Sequence, residues 1–325
     1  MAVVRGIIER QRRWGLAKIA VPKTRHYSAR SSVVAELERA LARRVSDGGR
    51  GRTAGRLLAR GDGWAVEDVV CTSGPEDRPF EEQHSQFSIA IVAAGTFQYR
   101  STNGHALMTP GSMLLGNDGH CFECGHEHGS GDRCVAFRFE PGYFEQIAVG
   151  AGFAERNLGF QSPRLPAVRE SADVVAQACA ALRGSNSVSW EEIGVRLAAR
   201  VTQLLGTSSR ASENLPARAV ARVTRSIRAI ERDSSAQLTL RQLATQAGLS
   251  SYHFLRTFER LTGVTPHQYV RRMRLRDAAL RLSFEPIRVI EIAYESGFND
   301  VSAFNRAFRA EFGINPRGYR ERARG

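Results

Sequence analysis

The chain has 325 residues and a formal net charge of +13, and this length suffices for two or three domains that each bury a core. No apolar run reaches the ~18 residues of a membrane span and no signal peptide is apparent, so the sequence predicts a cytoplasmic protein without membrane association. Its five cysteines, an odd number, fit a reducing compartment better than a disulfide framework.

The positive charge lies at the two ends of the chain. Residues 1–60 carry a net charge of +11, residues 61–216 of −8 and residues 217–325 of +10. A basic C-terminal part beside an acidic middle predicts that only one part of the chain meets a polyanion. Nucleic acid is the polyanion that fits this separate basic module best.

The first segment, residues 1–60, gives little indication of structure. Arginine, glycine and serine dominate it, and only residues 32–45 have apolar side chains at helical spacing. We expect a basic, mostly disordered N-terminal extension without a specific function. An organelle transit peptide and sequence upstream of the folded protein are alternatives, because the segment is rich in arginine and poor in acidic residues.

The second segment, residues 61–206, is expected to hold a β-domain followed by two helices. Short apolar or alternating runs alternate with Gly, Pro and Asn turns, as in a barrel or jelly roll that can enclose one ligand. The runs cover residues 64–71, 87–92, 97–100, 106–108, 112–115 and 134–139. Helical spacing then predicts one helix over 171–182 and a second that begins near Ser189. The two helices could cap the barrel or form a dimer seam, and residues 207–217 are expected to be a flexible linker.

One stretch of the β-domain is rich in the ligands that soft metals prefer. Sulfur and imidazole together suit zinc or another divalent metal. The candidate metal ligands are Cys121, Cys124, His126, His128 and Cys134. If this stretch is a strand, Cys124, His126 and His128 share one face, because side chains alternate along a strand. A redox-sensing thiol is one competing interpretation, and cysteines and histidines that only pack and hydrogen-bond in the barrel are the other.

The third segment, residues 218–325, contains one pattern twice. Leu-x-x-Leu-Ala-x-x-x-Gly-Leu begins at Leu240, and Val-x-x-Ile-Ala-x-x-x-Gly-Phe begins at Val289. Two phenylalanines follow each copy, Phe254 and Phe258 after the first and Phe304 and Phe308 after the second. Each copy predicts two short helices joined at a glycine, the geometry of a helix-turn-helix unit. A generic helical hairpin repeat is the alternative, and the basic charge of this segment argues against it.

This arrangement of segments resembles the AraC/XylS family of transcriptional regulators. The most specific match is in the second copy, at Ile292, Ala293, Gly297, Phe298, Phe304, Phe308, Gly313, Pro316, Tyr319 and Arg320. Asn315 departs from the threonine that usually precedes this proline in the family.

The resemblance implies a cupin-like effector-binding and dimerisation domain at 61–206 and a DNA-binding domain with two helix-turn-helix motifs at 218–325. It also implies a homodimer that binds double-stranded promoter or operator DNA and is not an enzyme. Such a protein responds to a small molecule or a metal, contacts RNA polymerase and acts as an activator.

The second helix of each unit is expected to enter the major groove with the face opposite its phenylalanines. These faces comprise Ser251, Tyr252, Leu255 and Arg256 in the first unit and Val301, Ser302, Asn305 and Arg306 in the second. They are also the positions that the family uses for base contact. The arginines could pair with guanine or only with phosphate, and the asparagine could read adenine. A helix over residues 266–282 would space the two units along the DNA.

Two further histidines lie where metal-binding cupins have ligands. His84, followed by Gln86 and Gly95, resembles the first cupin motif, and His120 falls where the second motif places its histidine. We assign both histidines to an effector pocket. Gln86 and the apolar Ile91 depart from the motif, which counts against the alternative function, a cupin-type metal-dependent oxygenase with a DNA-binding tail. A third alternative is an architectural DNA-binding protein without a ligand, which would leave the β-domain without a role.

Overall fold

The computed structural model describes residues 32–152, 159–185, 187–205 and 216–324. The start of the predicted N-terminal extension and most of the predicted linker at 207–217 lie outside the described residues. Within them, a β-domain with flanking helices precedes an all-helical part, which confirms the predicted fold class. No helix in these ranges is long and apolar enough to cross a membrane.

The described strands form two antiparallel sheets, one of six strands and one of four. In sheet order, the first consists of β1 (Thr53–Gly61), β2 (Trp64–Cys71), β9 (Asp132–Phe139), β4 (Phe87–Gly95), β7 (Met113–Gly116) and β10 (Arg164–Leu165). The second consists of β3 (Phe80–Gln83), β8 (Cys121–Gly125), β5 (Phe97–Ser101) and β6 (Gly104–Met108). All of the predicted runs are strands.

The two sheets pack face to face. Their shared core contains Val92, Leu114, Cys134 and Ala136 from the larger sheet and Phe97, Tyr99, Met108 and Cys124 from the smaller one. No strand in the described part of the chain pairs across the two sheets. The domain is therefore a two-layer sandwich, which fits the predicted cupin-like or jelly-roll-like fold, and its sheets do not close into a barrel within the described residues.

Helix α1 (Ser32–Asp47) and strand β1 show that residues 32–60 are folded, which corrects the expectation of disorder for this part of the predicted extension. Val33 and Leu37 are 2% and 5% exposed and lie in the core on the outer face of the six-stranded sheet. Near the end of the helix, Arg44 Nη2 lies 2.7 Å from Asp77 Oδ2. The apolar spacing over 32–45 was thus a true helix signal. Composition was misleading because arginines of this segment form ion pairs with the folded domain.

Helices α2 (Pro141–Gly150), α3 (Ala172–Leu182) and α4 (Trp190–Leu205) complete the β-domain. On α3, Val175 lies in the core of the β-domain, and Ala176 lies in the core of the C-terminal helices. On α4, Ile193 and Leu197 lie in the same β-domain core and are 0% exposed. The apolar side chains of both helices pack against other parts of the same chain, which favours the capping role over a dimer seam.

The C-terminal part contains two helical pairs joined by one longer helix. Its helices are α5 (Ala217–Arg232), α6 (Leu240–Gln246), α7 (Ser251–Thr262), α8 (Pro266–Phe284), α9 (Val289–Glu295), α10 (Val301–Phe312) and α11 (Pro316–Arg324). The pairs α6–α7 and α9–α10 are the two predicted units. Each unit has its own aromatic core, with Phe254 and Phe258 in one and Phe304 and Phe308 in the other, all 0% exposed. Thr239 and Gln242 form the predicted capping box at the start of α6.

Candidate nucleic-acid interface

The second helix of each unit, α7 in the first and α10 in the second, is called its reading helix. The first reading helix, α7, presents a polar face opposite its aromatic core. Ser250 caps the helix, because its Oγ accepts a hydrogen bond from His253 N at 3.3 Å. The predicted base-reading residues Ser251, Tyr252 and Arg256 are exposed, and Leu255 is half-buried. Their placement agrees with the predicted reading face, and their contact with DNA stays a prediction.

The second reading helix, α10, begins with an acidic cap. The Asp300 carboxylate accepts hydrogen bonds from Ser302 N at 3.0 Å and Ala303 N at 2.8 Å, and these bonds lower the pKa of Asp300. The predicted residues Ser302, Asn305 and Arg306 are exposed, and Val301 is half-buried. Asn305 thus occupies the position of Leu255 in the first helix, and Val301 occupies the position of Ser251. One chain thus presents two unlike exposed faces on two similarly folded units.

Arg274 of α8 ties the two units together. Its Nε donates to Ser234 O at 2.7 Å and its Nη2 to Ala236 O at 2.8 Å, both just before the first unit. Its Nη1 donates to Gly297 O at 2.8 Å, in the turn of the second unit. Of the four arginines between residues 271 and 276, only Arg271 is exposed. The half-buried Arg274 therefore acts inside the protein, and Arg271 is the better placed to meet phosphate.

The β-domain holds the C-terminal end of the first reading helix. Arg164 Nη1 donates to Leu261 O, in the last turn of α7, at 2.5 Å and to Leu107 O at 2.9 Å. Gly263 follows α7 with a φ of +79°, and a Cβ there would lie 2.6 Å from Pro166 Cγ. Both its left-handed backbone and its closeness to Pro166 require glycine. Sequence reasoning missed this contact, because nothing in residue spacing joins positions so far apart in the chain.

A second link joins the β-domain to α5. Arg228 Nη2 donates to Ser130 O at 3.0 Å, in the loop before β9. Three residues later on α5, Glu231 Oε1 accepts a hydrogen bond from Gly95 N at 2.8 Å. Burial raises the pKa of Glu231, although this hydrogen bond and nearby arginines oppose the shift. The first helix of the C-terminal part is thus fastened to the end of strand β4 and to the loop before strand β9.

The predicted metal ligands do not form one group. Strand β8 ends at Gly125, so His126 and His128 lie in the turn after it and not on the predicted strand face. Cys121 is exposed, whereas Cys124, His126 and Cys134 are 6%, 4% and 5% exposed. His128 is half-buried. Of the five predicted ligands only His126 belongs to a described group of three close ligand atoms, so the set predicted from sequence does not converge on one ion.

Two residues that sequence reasoning missed lie beside His126. Cys71, His126 and Asp132 are the only described Cys, His and acidic side chains that bring three ligand atoms within 4.8 Å of one another. Burial alone would lower the pKa of His126, but hydrogen bonds with Asp132 and Cys71 raise it to about 9. Cys71 was missed because only strand pairing, and not sequence spacing, brings it to this place.

His84 and His120 do not converge on a metal site. His84 Nε2 lies 2.9 Å from the Tyr99 hydroxyl, and the ring stacks on Phe122 with centroids 4.1 Å apart. Burial lowers the pKa of His84 to about 4, so the ring is neutral near pH 7. His120 Nδ1 lies 2.8 Å from Thr102 Oγ1. Neither histidine belongs to a described group of three ligands, so these residues do not fit a cupin metal.

Comparisons with known proteins agree with this division of the chain. The family profile described as an AraC-like ligand binding domain matches residues 71–247, and one described as a helix-turn-helix domain matches residues 243–322. The transposon Tn10 TetD protein of Escherichia coli is 35% identical over 91 residues, which are 28% of this chain and 66% of that protein. The HTH-type transcriptional activator AarP of Providencia stuartii is 33% identical over 91 residues, 28% of this chain and 67% of that protein.

The matched stretch thus spans about two thirds of the length of these two relatives. Among solved structures, ToxT from Vibrio cholerae O395 is 12% identical, covers 82% of this chain and 100% of its own, and has a TM-score of 0.33. The ligand-domain profile covers more than half of the chain, and the second profile continues from it through both helix-turn-helix units. The chain belongs to the AraC/XylS family of transcriptional regulators.

Proposed function

We propose that the chain regulates transcription by binding double-stranded promoter or operator DNA through α7 and α10, under the control of an effector sensed by its β-domain. The observation that carries this proposal is the pair of helix-turn-helix units with similar aromatic cores and unlike exposed faces. The net charge of +10 on residues 217–325 supplies the general attraction to phosphate. The name of the relative AarP, a transcriptional activator, supports activation over repression.

The proposed reading roles follow from side-chain chemistry. Arg256 and Arg306 can donate two hydrogen bonds to guanine O6 and N7, and Asn305 can pair with adenine N6 and N7. Tyr252 and the half-buried Val301 offer apolar contact to thymine methyls. Because the second face carries the amide and the first the tyrosine, the two units should read different sequences.

Control through the β-domain is proposed to act on the contacts that fasten the reading helices. Arg164 caps the end of α7, and Arg228 and Glu231 hold α5. An effector that binds one arrangement of these contacts more tightly than another shifts the population between them, and a ligand without such preference shifts nothing. Its site is proposed to lie in the β-domain, where His84 and His120 were predicted to contribute.

Several broader features of the regulator are also proposed. The effector domain would span residues 61–206, with α1 added to it, and the DNA-binding domain residues 218–325 after a linker at 207–217. We further propose a cytoplasmic homodimer that contacts RNA polymerase. The free state of all five cysteines supports a reducing compartment.

A metal-dependent oxygenase has less support than a regulator. The His84 ring is engaged by Tyr99 and Phe122, and the cupin motif has no convergent third ligand in the described chain. Two of the matching relatives, AarP and RhaS, are named as transcriptional activators. We therefore propose that the chain has no enzymatic role.

The test of DNA reading starts with duplexes that the full chain selects from a random library. Arg306→Ala should then weaken binding to the selected duplex by ~1–3 kcal/mol, with a much smaller loss on a scrambled duplex. Arg60→Ala removes the same charge from an exposed position on β1 and should leave binding unchanged. Equal losses on both duplexes would make Arg306 a phosphate contact. If the wild-type chain enriched no sequence, the proposed function would be wrong.

A further inference from the structure

The buried cluster of Cys71, His126 and Asp132 has a fourth potential ligand. Cys134 Sγ lies 3.3 Å from Asp132 Oδ2, and His126 Nε2 lies 2.7 Å from Asp132 Oδ1. Cys134 lies outside the group of three whose ligand atoms are within 4.8 Å of one another, so its side chain would have to turn towards the ion for the site to offer two sulfur atoms, one imidazole and one carboxylate. Four ligands of these types suit a tetrahedral site for zinc or a similar soft divalent metal, whereas magnesium and calcium prefer oxygen alone.

The sheet itself fixes three of these four positions. Cys71 at the end of β2 is paired directly with Asp132 at the start of β9. Directly opposed residues on antiparallel strands have Cβ atoms about 4.5–5.5 Å apart. Asp132 and Cys134 are two residues apart on β9, so their side chains lie on the same face. Only His126 comes from a turn, and the rest of the site is set by strand pairing.

One buried imidazole nitrogen in the cluster lacks a strong partner. His126 Nδ1 is buried and makes no close hydrogen bond in the described chain, with only the weak thiol of Cys71 beside the ring, whereas Nε2 is held by Asp132. A buried polar atom left without a partner costs about 1–3 kcal/mol, so native proteins rarely keep one without a reason. A metal ion bound in the cluster would be a strong partner for this nitrogen.

We propose that Cys71, His126, Asp132 and Cys134 form a binding site for a soft divalent metal ion, and that occupancy of this site is transmitted to α5. The second part of this proposal makes the metal ion the effector of the regulator, and it therefore rests on the proposed function. The loop from His126 to Asp132 carries Ser130, whose carbonyl accepts a hydrogen bond from Arg228 of α5. On the other side, Gly95, paired with Asp132, donates to Glu231 of the same helix.

Cobalt(II) titration of the reduced full chain tests the metal site. We expect one equivalent to bind with the near-ultraviolet absorption of thiolate-to-cobalt charge transfer, and zinc to displace it. Cys71→Ser and His126→Gln should abolish this absorption. Cys121→Ser removes an exposed thiol outside the cluster and should leave it intact. Absence of stoichiometric binding, or the same titration for Cys71→Ser as for the wild-type chain, would overturn the proposal.

Thiol alkylation of the wild-type chain provides a test that does not depend on variants folding. Zinc should slow alkylation of Cys71 and Cys134 about tenfold when free zinc is ten times its dissociation constant. Cys179 is equally buried, at 2% exposure, but lies outside the cluster and serves as the matched control. Equal slowing at all three thiols would show general stabilisation and would contradict this site.

Hydrogen exchange tests the transmission to α5 without DNA. Zinc should slow amide exchange in α5 of the wild-type chain, and Arg228→Ala should remove this effect while cobalt still binds. Unchanged exchange in α5 at full metal occupancy would refute the transmission and leave the metal site standing. Because neither measurement involves DNA, failure here is distinct from failure of the proposed regulatory function.

Discussion

The contact of Arg164 with the end of α7 allows a prediction about how firmly the β-domain holds a reading helix. The last four carbonyls of a helix have no partner within the helix, and Leu261 O is one of them. Arg164 Nη1 donates to it at 2.5 Å and to Leu107 O at 2.9 Å. Arg164→Met keeps most of the aliphatic stem and removes both hydrogen bonds together with the charge.

The magnitude follows from three opposing contributions. Two hydrogen bonds from a charged donor contribute about 1.5–3 kcal/mol each, and a cation at a helix C-terminus adds about 0.3–1 kcal/mol. Burial opposes them, because it lowers the pKa of Arg164 from 12.5 to about 10, which corresponds to ~3 kcal/mol against the charged form. The hydrogen bonds prevail, and the substitution should cost roughly 2 kcal/mol at this contact.

Amide hydrogen exchange of the full chain measures this cost. A loss of roughly 2 kcal/mol in local stability corresponds to about 30-fold faster exchange in the last turn of α7. Exchange in α10 serves as an internal control, and Arg169→Met, at an exposed arginine five residues along the chain, as a matched variant. Equal acceleration in α7 and α10 would mean global destabilisation, and unchanged exchange in α7 would refute the proposed hold.

Three other predictions concern the C-terminal helices. Phe304→Ala empties a 0% exposed position against Phe308 and should lower the free energy of unfolding by about 3–5 kcal/mol in urea denaturation, whereas a loss below ~1 kcal/mol would contradict its core role. Burial raises the pKa of Asp277 to about 6, so between about pH 4 and pH 6 unfolding releases a proton and stability falls as pH rises. Asp277→Asn should therefore become more stable than the wild-type chain by up to ~3 kcal/mol between about pH 4 and pH 7, and a pH-independent difference would refute this. Arg274→Met breaks three hydrogen bonds, two to the loop before the first unit and one to the turn of the second, and should weaken binding to the complete selected duplex at least about tenfold. Arg60→Met, at an exposed position on β1, is the matched control, and an equal loss in both variants would contradict a role of Arg274 inside the protein.

Local features were predictable from the sequence because local physics determines them. The phenylalanine spacing fixed the buried side of α7 and α10, and the side chains expected on the other side are exposed or half-buried. The capping box at Thr239 depends on residues three positions apart, and it forms as expected. The apolar periodicity over residues 32–45 predicted a helix that forms, although the composition of the segment suggested disorder.

Contacts that depend on tertiary pairing could not be predicted in this way. Cys71 and Asp132 are cross-strand neighbours, but they lie far apart in the chain. The spacing of ligands around His126 therefore indicated Cys121 and gave no indication of Cys71. The hold of Arg164 on α7 has the same origin. Nothing in the residues around an arginine of a short edge strand indicates which helix carbonyl it will contact.

The three hydrogen bonds of Arg274 have a consequence for the DNA that the protein can use. With both units locked to one helix, the distance and the rotation between their reading faces are fixed by the protein. Each base pair inserted between the two bound segments separates them by ~3.4 Å and turns one against the other by roughly 35°. Substitutions on either exposed face can therefore change which bases that unit recognises, while the spacing between the two recognised segments of a target promoter is constrained by a single half-buried arginine.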